Sequence, residues 1–125
     1  MKQITTIIYD NETFKVFYVQ RFKTDIVDDY GVARPSLINR IIYVYNEFLG
    51  LSENSKKFML LHEIGHIIGI TDNIEADIFA LKNTSLKIAE NALHETRNVF
   101  FKLKPLEHEK ILNYINLRIN ILKNK

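Results

Sequence analysis

Near the middle of the chain the spacing of apolar positions changes, from every second residue to every third or fourth. In the first twenty residues β-branched and aromatic side chains dominate. Ile4–Tyr9 and Thr13–Gln20 read as strands and Asp10-Asn11-Glu12 as a turn, which predicts a β-hairpin. Phe14, Val16 and Tyr18 alternate with Lys15, Phe17 and Val19, so neither face is purely polar and both are expected to be partly covered. Arg21–Ser36, with Asp25, Asp28, Asp29, Gly31 and Pro35, reads as a loop with room for a helical turn. Arg40–Phe48 regains strand composition, Ile41, Tyr43 and Tyr45 alternating against Ile42 and Val44. The alternative for that stretch is a helix begun at Ser36.

Beyond Gly50-Leu51 the pattern is helical. Ser52 or Asn54 can cap a helix that runs to about Gly69, with Phe58, Leu61, Gly65 and Ile68 on its packing side and Met59 and Leu60 widening the buried surface. Asp72–Lys82 and Ser85–Leu103 read as two further helices, and Lys104-Pro105 as a break. Leu106–Lys123 sets Ile111, Ile115, Ile119 and Leu122 at helical spacing. That stripe reads first as core packing and second as a dimer seam, so a monomer or weak dimer is expected. The order of elements predicts an α+β fold, a small N-terminal sheet followed by three or four helices.

A chain of 125 residues supports one core, so residues 1–125 are expected to form a single domain. The absence of cysteine removes disulfide frameworks and thiolate metal sites, leaving histidine and carboxylate as the expected ligands for any metal. A net charge of +2, with Lys and Arg scattered along the chain, argues against a nucleic-acid partner. The longest apolar run, Phe58–Ile70, is interrupted by His62, Glu63 and His66, so no membrane span is expected. Met1-Lys2-Gln3-Ile4-Thr5-Thr6 lacks a signal-peptide core, and the expected location is the cytoplasm.

The candidate chemistry lies in His62-Glu63-Ile64-Gly65-His66-Ile67-Ile68-Gly69-Ile70-Thr71-Asp72. Residues four apart project from one face of an α-helix, so His62 and His66 form half of a tetrahedral zinc (Zn2+) site. Glu63 stands close enough to act as general base on a water at the metal, yet is turned away from direct ligation. Gly69 permits a sharp change of direction, after which Asp72 or Glu75 can supply the third ligand. The carboxylate not used, or Asp77, is placed to accept the free N–H of a ligating imidazole.

Two resemblances follow. The spacing H-E-x-x-H-x-x-G-x-x-D resembles the aspartate form of the metzincins, as in snapalysin-like peptidases, and implies Asp72 as the ligand. Metzincins carry a downstream Met-turn, whereas this chain has no methionine after Met59. Glu75-Ala76-Asp77-Ile78-Phe79-Ala80 resembles the signature that follows the H-E-x-x-H helix in ImmA/IrrE-like zinc metallopeptidases and their gluzincin relatives. There the glutamate ligand commonly lies four residues before the Asp or Asn, a position held here by Asn73. The resemblance spans roughly Ile41–Ala80 and, taken together, favours the ImmA/IrrE-like side. It implies a small cytoplasmic peptidase, often encoded on a phage or other mobile element, that cleaves a specific regulator.

The expected function is therefore zinc-dependent hydrolysis of peptide bonds in one or a few protein substrates. Glu63 is the expected catalytic residue, His62, His66 and Asp72 (or Glu75) the expected ligands, and the peptide is expected to bind along Arg40–Phe48 as an added edge strand. The alternative is a non-catalytic, zinc-stabilised protein-binding module whose helical half is the partner surface. His94 is a candidate oxyanion stabiliser against a plainer reading as a surface residue. Tyr43 and Tyr45 read as sheet-packing residues, and His108 as a solvated helix residue.

Overall fold

In a computed structural model, residues 1–20 and 31–125 are described. They form strands β1 (Lys2–Tyr9), β2 (Glu12–Tyr18), β3 (Ala33–Pro35) and β4 (Ile41–Val44), and helices α1 (Asn46–Leu49), α2 (Glu53–Ile67), α3 (Asn73–Lys82), α4 (Leu86–Leu103) and α5 (His108–Lys123), with a 3-10 turn at Pro105–Glu107. The fold is α+β, a mixed sheet followed by helices, as the change of period predicts.

The hairpin turns on Asp10 and Asn11, at φ 51° and 63°, with Tyr9 paired to Glu12. Two successive positive φ values match the right-handed twist of the flanking strands, and Asp and Asn tolerate them better than most residues. In the sheet, ordered β1-β2-β4-β3, β4 runs parallel to β2 and antiparallel to β3. Phe14, Val16, Ile42 and Val44 are fully buried on one face against the helices, while Lys15 is exposed. One face of the sheet thus carries the core, while in the alternate set Phe17 is half-buried and Val19 buried, so both faces are partly covered as expected.

Three expectations are corrected. The first part of the Arg21–Ser36 loop lies outside the described residues, but its end, Ala33–Pro35, is a strand. The strand expected over Arg40–Phe48 stops at Val44, because Tyr45 opens the single-turn helix α1; Phe48 N–H bonds to Tyr45 C=O and Gly50 N–H to Glu47 C=O. That turn buries Tyr45 and Phe48 and sends the chain under the sheet. Finally, β4 is not an edge: both its sides are paired, and the edge on this side of the sheet is β3.

Helix α2 is buried continuously from Phe58 to Gly65, since it lies between the sheet and the other helices. Ile68, expected on its packing side, is 49% exposed because the helix has ended by then. Ile111, Ile115, Ile119 and Leu122 are buried in the chain's own core, which accounts for the α5 stripe without a dimer seam. Among the described residues no helix is long and apolar enough to cross a membrane.

Candidate metal centre

Local sequence fixes both ends of α2. At its start Ser52 accepts the Ser55 N–H, while Glu95 of α4 accepts from the Ser52 N–H, the Ser52 hydroxyl and the Ser55 hydroxyl. At its end Gly69 takes φ +117°, a conformation that disfavours a side chain, and two reverse bonds close the helix: Gly69 N–H to His66 C=O and Ile70 N–H to Gly65 C=O. The chain then doubles back, and α3 packs on Gly65, where an added Cβ would lie 3.2 Å from the Phe79 ring and 3.6 Å from Ala76 Cα. Absence of a side chain at Gly65 therefore lets α3 approach the face that carries the histidines.

His62 and His66 meet as their spacing predicts, with Nε2 atoms 3.1 Å apart and rings at 81° to each other. Each ring is oriented through its other nitrogen. His66 Nδ1 lies 2.7 Å from the Ile70 carbonyl, an acceptor only, so Nδ1 carries the proton. His62 Nδ1 lies 2.7 Å from Asp77 Oδ1. Burial would raise the Asp77 carboxyl, but Arg118 and His62 outweigh it and hold the carboxyl at about 2, so it too is an acceptor. His62 is held below the usual histidine range, chiefly by burial, against the pull of Asp77. Each ring thus has its Nδ1 engaged behind it, and the two Nε2 atoms face one another. Fixing the tautomer and ring angle in this way is what a zinc-ligating pair requires.

The structure does not bring Asp72 or Glu75 to this point. Asp72 is the exposed N-cap of α3, its Oδ2 accepting the Glu75 N–H at 3.1 Å, and Glu75 points into solvent one turn along. Among the described residues no three His, Cys, Asp or Glu side chains come together as a metal group. A short aspartate in the gap between the helices satisfies the exposed helix end, and the next residue turns inward. Asn73 Oδ1 lies 2.9 Å from His66 Nε2. Sequence reading reached Asn73 only as the place where a glutamate was missing.

Asp77 occupies the supporting position expected for one of the acidic residues. Its companion Arg118 escaped the sequence reading: Nε donates to Oδ2 at 2.7 Å and Nη2 to Oδ1 at 2.8 Å, both side chains being buried. The available signal was an arginine three residues after Ile115 and four before Leu122, inside the apolar stripe of α5.

Glu63, 8% exposed, opens into the same cleft as the histidines, a cavity of about 80 Å³. Asn73, Tyr114, Arg118 and Gly31–Pro35 also line it. His94, Tyr43, Tyr45 and His108 are not on that wall. His94 is half-buried on α4, Tyr45 is core, Tyr43 lies under the Arg34 guanidinium, and the exposed His108 stacks on Phe101.

Neither family models nor curated proteins nor solved structures provide a match to this chain. The resemblances carried by His62–Ala80 therefore stand on those residues and their geometry alone.

Proposed function

We propose that the chain is a zinc-dependent peptidase acting on an extended segment of a protein substrate. The observation that carries this reading is the cleft itself. Two imidazoles with facing Nε2 atoms and a buried carboxylate line it together with residues of the edge strand β3. The donor set fits zinc, because both rings are oriented through Nδ1 by acceptors behind them and keep Nε2 for the metal. Zinc bound there supplies Lewis acidity, which polarises the scissile carbonyl and makes water a nucleophile near neutral pH.

The remaining steps belong to the chain. Glu63 accepts a proton from the attacking water and returns it to the leaving nitrogen as the C–N bond breaks. On β3, Val32 C=O accepts from Tyr45 N–H, and Ser36 N–H donates to Ile41 C=O. Backbone groups alternate in direction along a strand, so Val32, Arg34 and Ser36 face β4, while Ala33 and Pro35 turn their backbone outward. An extended substrate can pair with the Ala33 N–H and C=O and the Pro35 C=O, whereas Pro35, lacking an N–H, limits the ladder. This edge replaces Arg40–Phe48 as the proposed peptide-binding strand. A regulator of a phage or other mobile element is the proposed substrate class, in line with the family resemblance.

A purely zinc-stabilised binding module has no use for a carboxylate beside the histidine pair, so the placement of Glu63 favours catalysis. The test is to incubate the zinc-loaded protein and its Glu63→Gln variant with a mixed pool of unstructured peptides and analyse them by mass spectrometry. Defined new termini are expected with the parent and none with the variant, at equal zinc content. Equal cleavage by both would remove Glu63 from the mechanism.

A further inference from the structure

We infer that Asn73 is the third protein ligand of the metal, so that the site is an uncharged His-His-Asn set in place of the usual two histidines and a carboxylate. The inference rests on the zinc reading above and goes beyond it in assigning the ligand and its charge. Three atoms converge: His62 Nε2, His66 Nε2 at 3.1 Å from it, and Asn73 Oδ1 at 2.9 Å from His66 Nε2. The Nδ1 protons are already committed to the Asp77 carboxylate and the Ile70 carbonyl. The two Nε2 atoms and the amide oxygen are thereby left facing one another, each an atom type that can ligate a metal ion. A cation placed among them would meet all three at once.

The surroundings exclude the obvious rivals. Asp72 is engaged with the Glu75 N–H, and Glu75 is exposed on the far side of that turn. The Asp77 charge lies behind His62 and is matched by the two hydrogen bonds from Arg118. An amide oxygen at position 73 is a neutral donor, so the ligands themselves leave the charge of a bound dication unreduced. Replacing that amide by a carboxylate of the same length adds a full negative charge at the same place.

The test is a competition titration of zinc against a chromogenic chelator, using the full chain and its variants, with circular dichroism to confirm folding. Loss of the Asn73 side chain in Asn73→Ala is expected to weaken zinc binding by at least the roughly 10–100-fold that follows loss of a supporting residue. Asn73→Asp is expected to tighten it by about tenfold or more. Asp72→Ala and Glu75→Ala are expected to stay close to the parent. With cobalt in place of zinc, the visible spectrum is expected to change in Asn73→Asp and not in Asp72→Ala. If Asn73→Ala binds as the parent does while His62→Ala/His66→Ala binds nothing, the histidine site stands and Asn73 is not its ligand. A parent protein that takes up no zinc overturns both readings.

Discussion

Arg118 and Asp77, 41 residues apart in sequence, are joined by two hydrogen bonds of 2.7 and 2.8 Å in the protein interior. Asp77 Oδ1 also receives His62 Nδ1, so the last helix supports α2 through α3. Arg118→Leu leaves a buried carboxylate without its cation and is expected to cost about 3–5 kcal/mol. Asp77→Asn/Arg118→Leu removes both charges and is expected to be less damaging than Arg118→Leu alone. Urea unfolding of the parent and the two variants measures this. A double variant no more stable than the single one would show that the loss comes from packing of the guanidinium instead.

The histidine pair makes the next prediction. His62→Ala/His66→Ala is expected to contain no zinc after purification and dialysis, where the parent retains one ion per chain. Elemental analysis on protein of known concentration decides it. Stoichiometric zinc in the double variant would place the metal elsewhere.

Legibility of the sequence differed with the range of the interactions. His62, Glu63, His66 and the turn at Gly69 were readable because their geometry is set within one helix and its cap. The core stripe of α5 was readable for the same reason. The strand at Arg40–Phe48 was over-extended because Tyr45 and Phe48 are as apolar as strand residues; what ends the strand is a backbone turn that buries both. Arg118 and Asn73 were missed as site residues because their roles depend on how α3 and α5 pack, and spacing along the chain does not encode that. The reading of Asp72 turns on a local competition. An aspartate just ahead of a helix can serve a metal or the helix end, and here the Glu75 N–H holds it.

Glu95 ties stability to pH. Burial opposes its charge, but the bonds from Ser55 and Ser52 outweigh that and hold its carboxyl below the usual glutamate range. A carboxyl lowered in the folded state contributes stability that is fully present above its unfolded value of about 4.3 and is lost as pH falls through the folded value. Glu95→Gln is therefore expected to lower the melting temperature at neutral pH, with the difference from the parent shrinking as the solution is acidified below the glutamate range. Asp77 titrates lower, at about 2, and is common to both proteins, so the difference reports Glu95. A gap that stays constant across that range would assign the effect to shape and not to charge.

Gly69 links backbone conformation to His66. A Cβ there would meet nothing within 4 Å, so the cost of Gly69→Ala comes from φ +117° alone, about 1–3 kcal/mol. The strain is relieved most easily by letting the helix run on, which breaks the Ile70 N–H bond to Gly65 C=O and carries the Ile70 carbonyl away from His66 Nδ1. His66 then loses the acceptor that fixes its tautomer, and zinc affinity is expected to fall by roughly 10–100-fold alongside the loss of stability. D-alanine at position 69, which favours positive φ, is expected to restore both, because it supplies the same methyl group with the required backbone. Gly50→Ala is the control: Gly50 already has φ −86°, its added Cβ makes ordinary contact at 3.8 Å, and zinc affinity is expected to be unchanged. If L-alanine and D-alanine at position 69 behave alike, the turn does not depend on the sign of φ, and the link from Gly69 through Ile70 to His66 fails.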